Sequence, residues 1–173
     1  MNTMKTIMTS LMLFCAITTA FAQTKTNSNK PLKEQFIGTW ALVSVDNIYP
    51  DSSRVHPYGE NPKGMLIFDE WLNYAIQIYK AARPKIVSGD KNVCTPEEGK
   101  ALIQGSNSHF GKYKVDEAKH TITFKIEHAS FSNWEGAEQE RTYTYTGNEL
   151  KYVVTNTTQG GKAVVAEVVW RRL

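Results

Sequence analysis

Thr121-Ile122-Thr123-Phe124-Lys125-Ile126-Glu127-His128 is the stretch that decides how this chain folds. Successive side chains of an extended strand point to opposite faces, so Ile122, Phe124 and Ile126 share one face and Thr123, Lys125 and Glu127 the other. β-Branched and aromatic residues fill the run, as expected of a strand half-buried against a core. The same alternation assigns His128 to the apolar face, at the end of the strand.

Seven further runs of this kind surround it, at residues 36–46, 63–68, 73–79, 110–115, 139–146, 149–155 and 163–172. Turn-forming residues separate them: Asp69-Glu70, residues 116–119, Gly147-Asn148 and Gln159-Gly160-Gly161. Eight strands with such connections predict an all-β fold, an antiparallel up-and-down barrel whose closure removes the exposed edges. One segment departs from the pattern. Thr95-Pro96-Glu97-Glu98 carries the signals of a helix start, with an N-cap threonine, proline in the first turn and a glutamate placed to complete a capping box. It predicts one short helix between the third and fourth strands, ending near Gln104.

The ends of the chain fix its organisation. Residues 1–22 read as a signal peptide: Lys5 precedes an apolar run at 7–20, and Ala20-Phe21-Ala22 offers small residues at a cleavage site. The run is short of the roughly 20 apolar residues that span a bilayer, so no stable membrane insertion is expected after cleavage. Residues 23–31 are expected to form a flexible polar tether, and residues 32–173 one domain. The expected destination is outside the cytoplasm, periplasmic or secreted.

Cleavage would remove Lys5 and leave 19 basic against 17 acidic residues. No basic run exceeds Arg171-Arg172, which argues against nucleic acid as a partner. Only Cys94 would remain, which excludes an internal disulfide and a cysteine-based zinc site. The sequence calls for no obligate assembly beyond a monomer or weak dimer.

Alternation also proposes what faces the barrel interior. Tyr74, Ile76 and Ile78 point inward from the third strand, His109, Gly111, Tyr113 and Val115 from the fourth, and Arg141, Tyr143 and Tyr145 from the sixth. Leu150, Tyr152 and Val154 follow from the seventh strand, and Ala166, Val168 and Trp170 from the eighth. An aromatic interior with a few polar tips suits either a concave ligand site or a filled core. Of these and their neighbours, Tyr74, His109, Tyr113, His128, Arg141 and Tyr143 are the candidate ligand contacts, with Trp134 at the rim in the loop joining the fifth and sixth strands. His56, in a Pro- and Gly-rich connection, belongs either to a lid or to an ordered crossover.

The blocks Phe36-Ile37-Gly38-Thr39-Trp40 and Tyr58-Gly59-Glu60-Asn61-Pro62-Lys63-Gly64, then Thr95-Pro96-Glu97-Glu98, Phe110-Gly111-Lys112-Tyr113 and Asn133-Trp134, resemble the bacterial lipocalin-like domain family in the same order. The resemblance runs from about Leu32 to Leu173. It implies a lipocalin-like barrel and small-molecule binding, and it implies that Trp40 packs near Arg171 or Arg172.

The expected function is therefore exported binding of a small apolar or amphipathic molecule within the barrel. Two alternatives stand beside it: a cofactor-free isomerase or cyclase using His128 as acid and base, and a non-binding envelope interaction module with a filled interior. His109 and His128 lack a third ligand at metal-binding spacing, so no metal site and no cofactor are expected. No nucleophile motif is visible, and no catalytic residue is assigned beyond His128 in the enzymatic reading.

Overall fold

The computed structural model describes residues 30–155, 157 and 164–173. The signal-peptide segment, the tether up to residue 29, the Gln159-Gly160-Gly161 turn and Ala163 lie outside the described residues.

Nine strands form one antiparallel sheet: β1 (Gly38–Ile48), β2 (Arg54–Val55), β3 (Lys63–Phe68), β4 (Asn73–Tyr79), β5 (Ser106–Asp116), β6 (Thr121–Ala129), β7 (Glu138–Tyr145), β8 (Glu149–Val154) and β9 (Val165–Arg172). Eight of them make the barrel, in the order β1-β3-β4-β5-β6-β7-β8-β9, and β1 pairs back onto β9 to close it. The eleven-residue β1 is long enough to serve two neighbours along one edge, β3 through residues 38–41 and the two-residue β2 through Asn47 and Ile48. A bulge at Val43 lets both halves of this strand bury their apolar side chains, Trp40 and Leu42 before it and Val45 after it.

Two helices accompany the barrel. The helix α2 (Pro96–Gln104) is capped as its sequence requires: the Glu98 amide donates to Thr95 Oγ1 at 3.2 Å, and the Thr95 amide donates to Glu98 Oε2 at 2.8 Å. It lies between β4 and β5, not between the third and fourth strands, because the extra strand Arg54–Val55 precedes it. A second helix, α1 (Leu32–Phe36), takes the start of the expected first strand. Its last residue, Phe36, is fully buried and meets Tyr143 and Tyr145 edge-on, at centroid distances of 5.1 and 5.2 Å. This helix plugs one end of the barrel.

Arg172 closes the same end. Its guanidinium lies over the Trp40 ring and donates to the carbonyl oxygens of Ile37 (3.0 Å), Gly147 (3.2 Å) and Gln35. The Trp40 indole N–H in turn donates to the Phe36 carbonyl at 2.9 Å. Of the two arginines named by the family resemblance, Arg172 is the one that packs on Trp40.

Above this plug the core is solid as far as Phe124, whose ring packs against Phe68, Tyr74 and Tyr152. Trp40, Leu66, Phe68, Ile122, Leu150 and Trp170 fill that half with essentially no exposure. Beyond Phe124 the barrel opens.

Candidate functional site

The open half of the barrel encloses a cavity of about 930 Å³. Its walls are Val45 from β1, Ile76 and Ile78 from β4, Tyr152 and Val154 from β8, and Ala166 and Val168 from β9. Leu102 and Ile103 of α2, Pro57 and Tyr58 of the β2–β3 connection, and Phe131 and Trp134 of the β6–β7 loop surround the mouth. Polar side chains such as Asn47, Gln104, Ser106 and Thr155 are interspersed among these walls, and the charged residues along the lining are Lys80, Glu140 and Arg141. A concave, largely apolar chamber with a few fixed polar groups has the physical form of a small-molecule site. An interior of this volume is not the filled core of a solid barrel.

Three polar residues define the deep end. Arg141 projects inward from β7, is 6% exposed, and holds its guanidinium between two aromatic faces, 4.6 Å from the Phe124 centroid and 4.8 Å from that of Tyr152. One terminal nitrogen donates to Gln139 Oε1 at 2.7 Å. Its buried Nε finds no hydrogen-bond partner among the described residues. His109 projects from β5, and its Nδ1 lies 2.8 Å from the Tyr74 hydroxyl. Burial pushes the imidazole down to about 3, and the Arg141 charge acts in the same direction, so His109 is neutral at physiological pH. Burial likewise pushes the Tyr74 and Tyr152 hydroxyls up, and both stay protonated. The deep end therefore carries one positive charge, on Arg141, surrounded by neutral hydrogen-bonding groups.

Of the seven residues singled out from sequence, His109, Arg141 and Trp134 line the cavity. Trp134 belongs to the short 3₁₀ turn Ser132–Trp134 and meets His109 edge-on, with centroids 5.9 Å apart. Tyr74 stands behind His109, orienting its ring. Tyr113 and Tyr143 do point inward, but both lie in the solid half. Tyr113 donates to the Asp69 carbonyl at 3.2 Å, and burial raises its hydroxyl to about 12, while Tyr143 packs on Phe36.

His128 does not reach the interior. Its side chain is 68% exposed, lies tilted against the outward-facing Phe110 ring and approaches Glu135 at 3.4 Å. The cause is a bulge: Gly111 pairs with Ile126 and Phe110 with His128, leaving Glu127 unopposed and reversing the alternation beyond it. Gly111 permits this, because a β-carbon there would run into the carbonyl oxygen of Lys125. The expectation that His128 faces the interior is corrected, and the acid–base role built on it has no access to the chamber.

His56 serves the mouth connection: its Nδ1 lies 2.7 Å from Asp46 Oδ1, tying the β2–β3 segment to β1. Sequence reasoning placed Tyr152 inward without naming it as a site residue, and it missed Asn47, Asn107 and Gln139. Asn107 and Gln139 stand two residues before His109 and Arg141, on the same strand faces. The expected fourth strand, starting at residue 110, was drawn too short to include Asn107, whereas Gln139 opened the expected sixth strand and was not counted among its inward residues. Among the described residues no three His, Cys, Asp or Glu side chains come close enough to share a metal ion.

No curated protein matches this chain. The sequence profile of the lipocalin-like domain matches residues 37–173, which spans every strand of the barrel and every residue of the cavity wall. By that match and by its closed eight-stranded meander, the chain belongs to the lipocalin-like domain family.

Proposed function

We propose that the protein takes up a small apolar or amphipathic molecule in the open half of its barrel, and that it does so outside the cytoplasm after removal of residues 1–22. The observation that carries the reading is the chamber itself, about 930 Å³ of largely apolar space roofed by α2 and two connections, with one buried charge, Arg141, at its deep end. Export rests on the charged, apolar and small-residue pattern of the first 22 residues.

Titration with 1-aminoanthracene, an uncharged apolar fluorophore, tests the binding reading. Saturable 1:1 binding is expected, with quenching of Trp134 emission, and it should be lost when the chamber is filled by Ala166→Phe. Absence of binding, or binding that survives the filled chamber, overturns the proposal. Amino-terminal sequencing of the protein from its own host tests export: a mature chain beginning at Gln23 supports it, and an intact Met1 overturns it.

A further inference from the structure

We infer that the ligand carries a carboxylate and enters head first, with that carboxylate against Arg141 and its apolar body extending toward α2. The inference rests on the binding reading above and narrows it to a chemical class.

The argument begins with an unpaired charge. Arg141 is almost completely removed from water, and a buried cation is costly unless an anion or a full set of hydrogen bonds compensates it. Every Asp and Glu of the chain lies among the described residues, and none comes within 4 Å of the Arg141 guanidinium. Two aromatic faces, the Gln139 amide oxygen and the Tyr152 hydroxyl support it from the protein side, and all of them are neutral. Its Nε–H remains without an acceptor. A guanidinium presents its N–H groups in a planar fork that matches the two oxygens of a carboxylate.

The surroundings favour a single negative charge. His109 stays neutral and adds none of its own, and the other cationic side chain on the lining, Lys80, follows β4 at the mouth end. One buried positive charge pairs with one negative charge; a phosphate dianion would leave a surplus in a dry chamber. Toward the mouth the walls are Ile78, Val154, Leu102 and Trp134, which offer contact surface to a hydrocarbon or aromatic body. Asn107, two residues mouthward of His109 on the same face of β5, also lines the chamber and places a side-chain amide partway along that body.

The experiment compares dodecanoic acid, dodecan-1-ol and dodecanamide as competitors of bound 1-aminoanthracene at neutral pH. The acid should displace the probe at about ten-fold lower concentration than the alcohol or the amide, the margin of a hydrogen bond to a charged group over a neutral one. In Arg141→Met the three competitors should become equal. A second measurement needs no variant: carboxyl-¹³C dodecanoic acid bound to the native protein should titrate below the free acid, because the adjacent guanidinium favours the ionised form.

Equal competition by all three compounds, or a bound carboxyl that titrates at or above the free acid, overturns the inference while 1-aminoanthracene binding leaves the chamber reading intact. Failure of 1-aminoanthracene itself to bind overturns both.

Discussion

The Arg172 guanidinium lies 4.2 Å from the centroid of the Trp40 ring, joining the last strand of the barrel to the first at its closed end. The indole is fully buried, while the arginine's N–H groups reach carbonyls of Gln35, Ile37 and Gly147, of which the first and last are shared with the single Tyr145 hydroxyl. Replacing Arg172 by Met keeps apolar contact with the ring but strands those carbonyls. A loss of about 2–3 kcal/mol is expected, seen as a lower urea midpoint with an unchanged slope. Arg172→Lys should recover less than half of it, because an ammonium group cannot span three acceptors set for a planar fork.

His109 makes stability depend on pH. Its folded value of about 3 lies below the ordinary 6.5, so the unfolded chain binds more protons between those limits. Stability from this group is fully present above about pH 6.5 and is lost as pH falls toward 3, at up to about 1.4 kcal/mol per pH unit. Chemical unfolding at about pH 4, 5 and 6 should therefore give a steeper decline in the native protein than in His109→Phe. Parallel declines would show that His109 is protonated in the folded state.

Gly111 has no room for a side chain. Gly111→Ala forces a methyl against the Lys125 carbonyl and the Glu127 amide, both backbone groups in a paired strand. A destabilisation of about 3 kcal/mol or more is expected from urea titration, well above that of Ala75→Gly on a neighbouring strand.

His128 and Trp134, both near the β6–β7 connection, should separate cleanly. His128→Ala removes an exposed side chain and is expected to change stability by no more than about 0.5 kcal/mol, with 1-aminoanthracene affinity unchanged. Trp134→Ala removes part of the chamber wall and should weaken the same probe several-fold. Loss of binding in the histidine variant would return His128 to the interior.

Much of the architecture was legible because one residue pattern governs it. The alternation that made Ile122, Phe124, Arg141, Tyr152 and Trp170 inward-facing reads the same in sequence and in space wherever strand pairing is regular. Lys63–Phe68 and Asn73–Tyr79 have the bounds expected of them. The reading failed where pairing is irregular. His128 lies one residue beyond a bulge, and a period of two carries no memory of a skipped residue. Glycine within a strand is the available signal for such a site, and Gly111 stands opposite it.

The helix Leu32–Phe36 was missed for a different reason. Five residues provide no helical periodicity to detect, and Phe36 next to Ile37 resembles the start of a strand. The division of the site into cavity and solid core was equally invisible. Tyr113 and Tyr143 satisfy every rule for an inward residue, and only the stacking order along the barrel axis separates them from His109 and Arg141. That order depends on strand register, which the composition of a single strand does not encode.

The ring of Phe124 marks a boundary between two regions with separable tasks. On one side, Trp40, Arg172 and the Phe36 plug hold the barrel closed; on the other, the chamber wall bears on none of those contacts. Substitutions in the wall can reshape the chamber without loosening the clasp that keeps eight strands together. The scaffold thereby separates what holds it together from what it encloses.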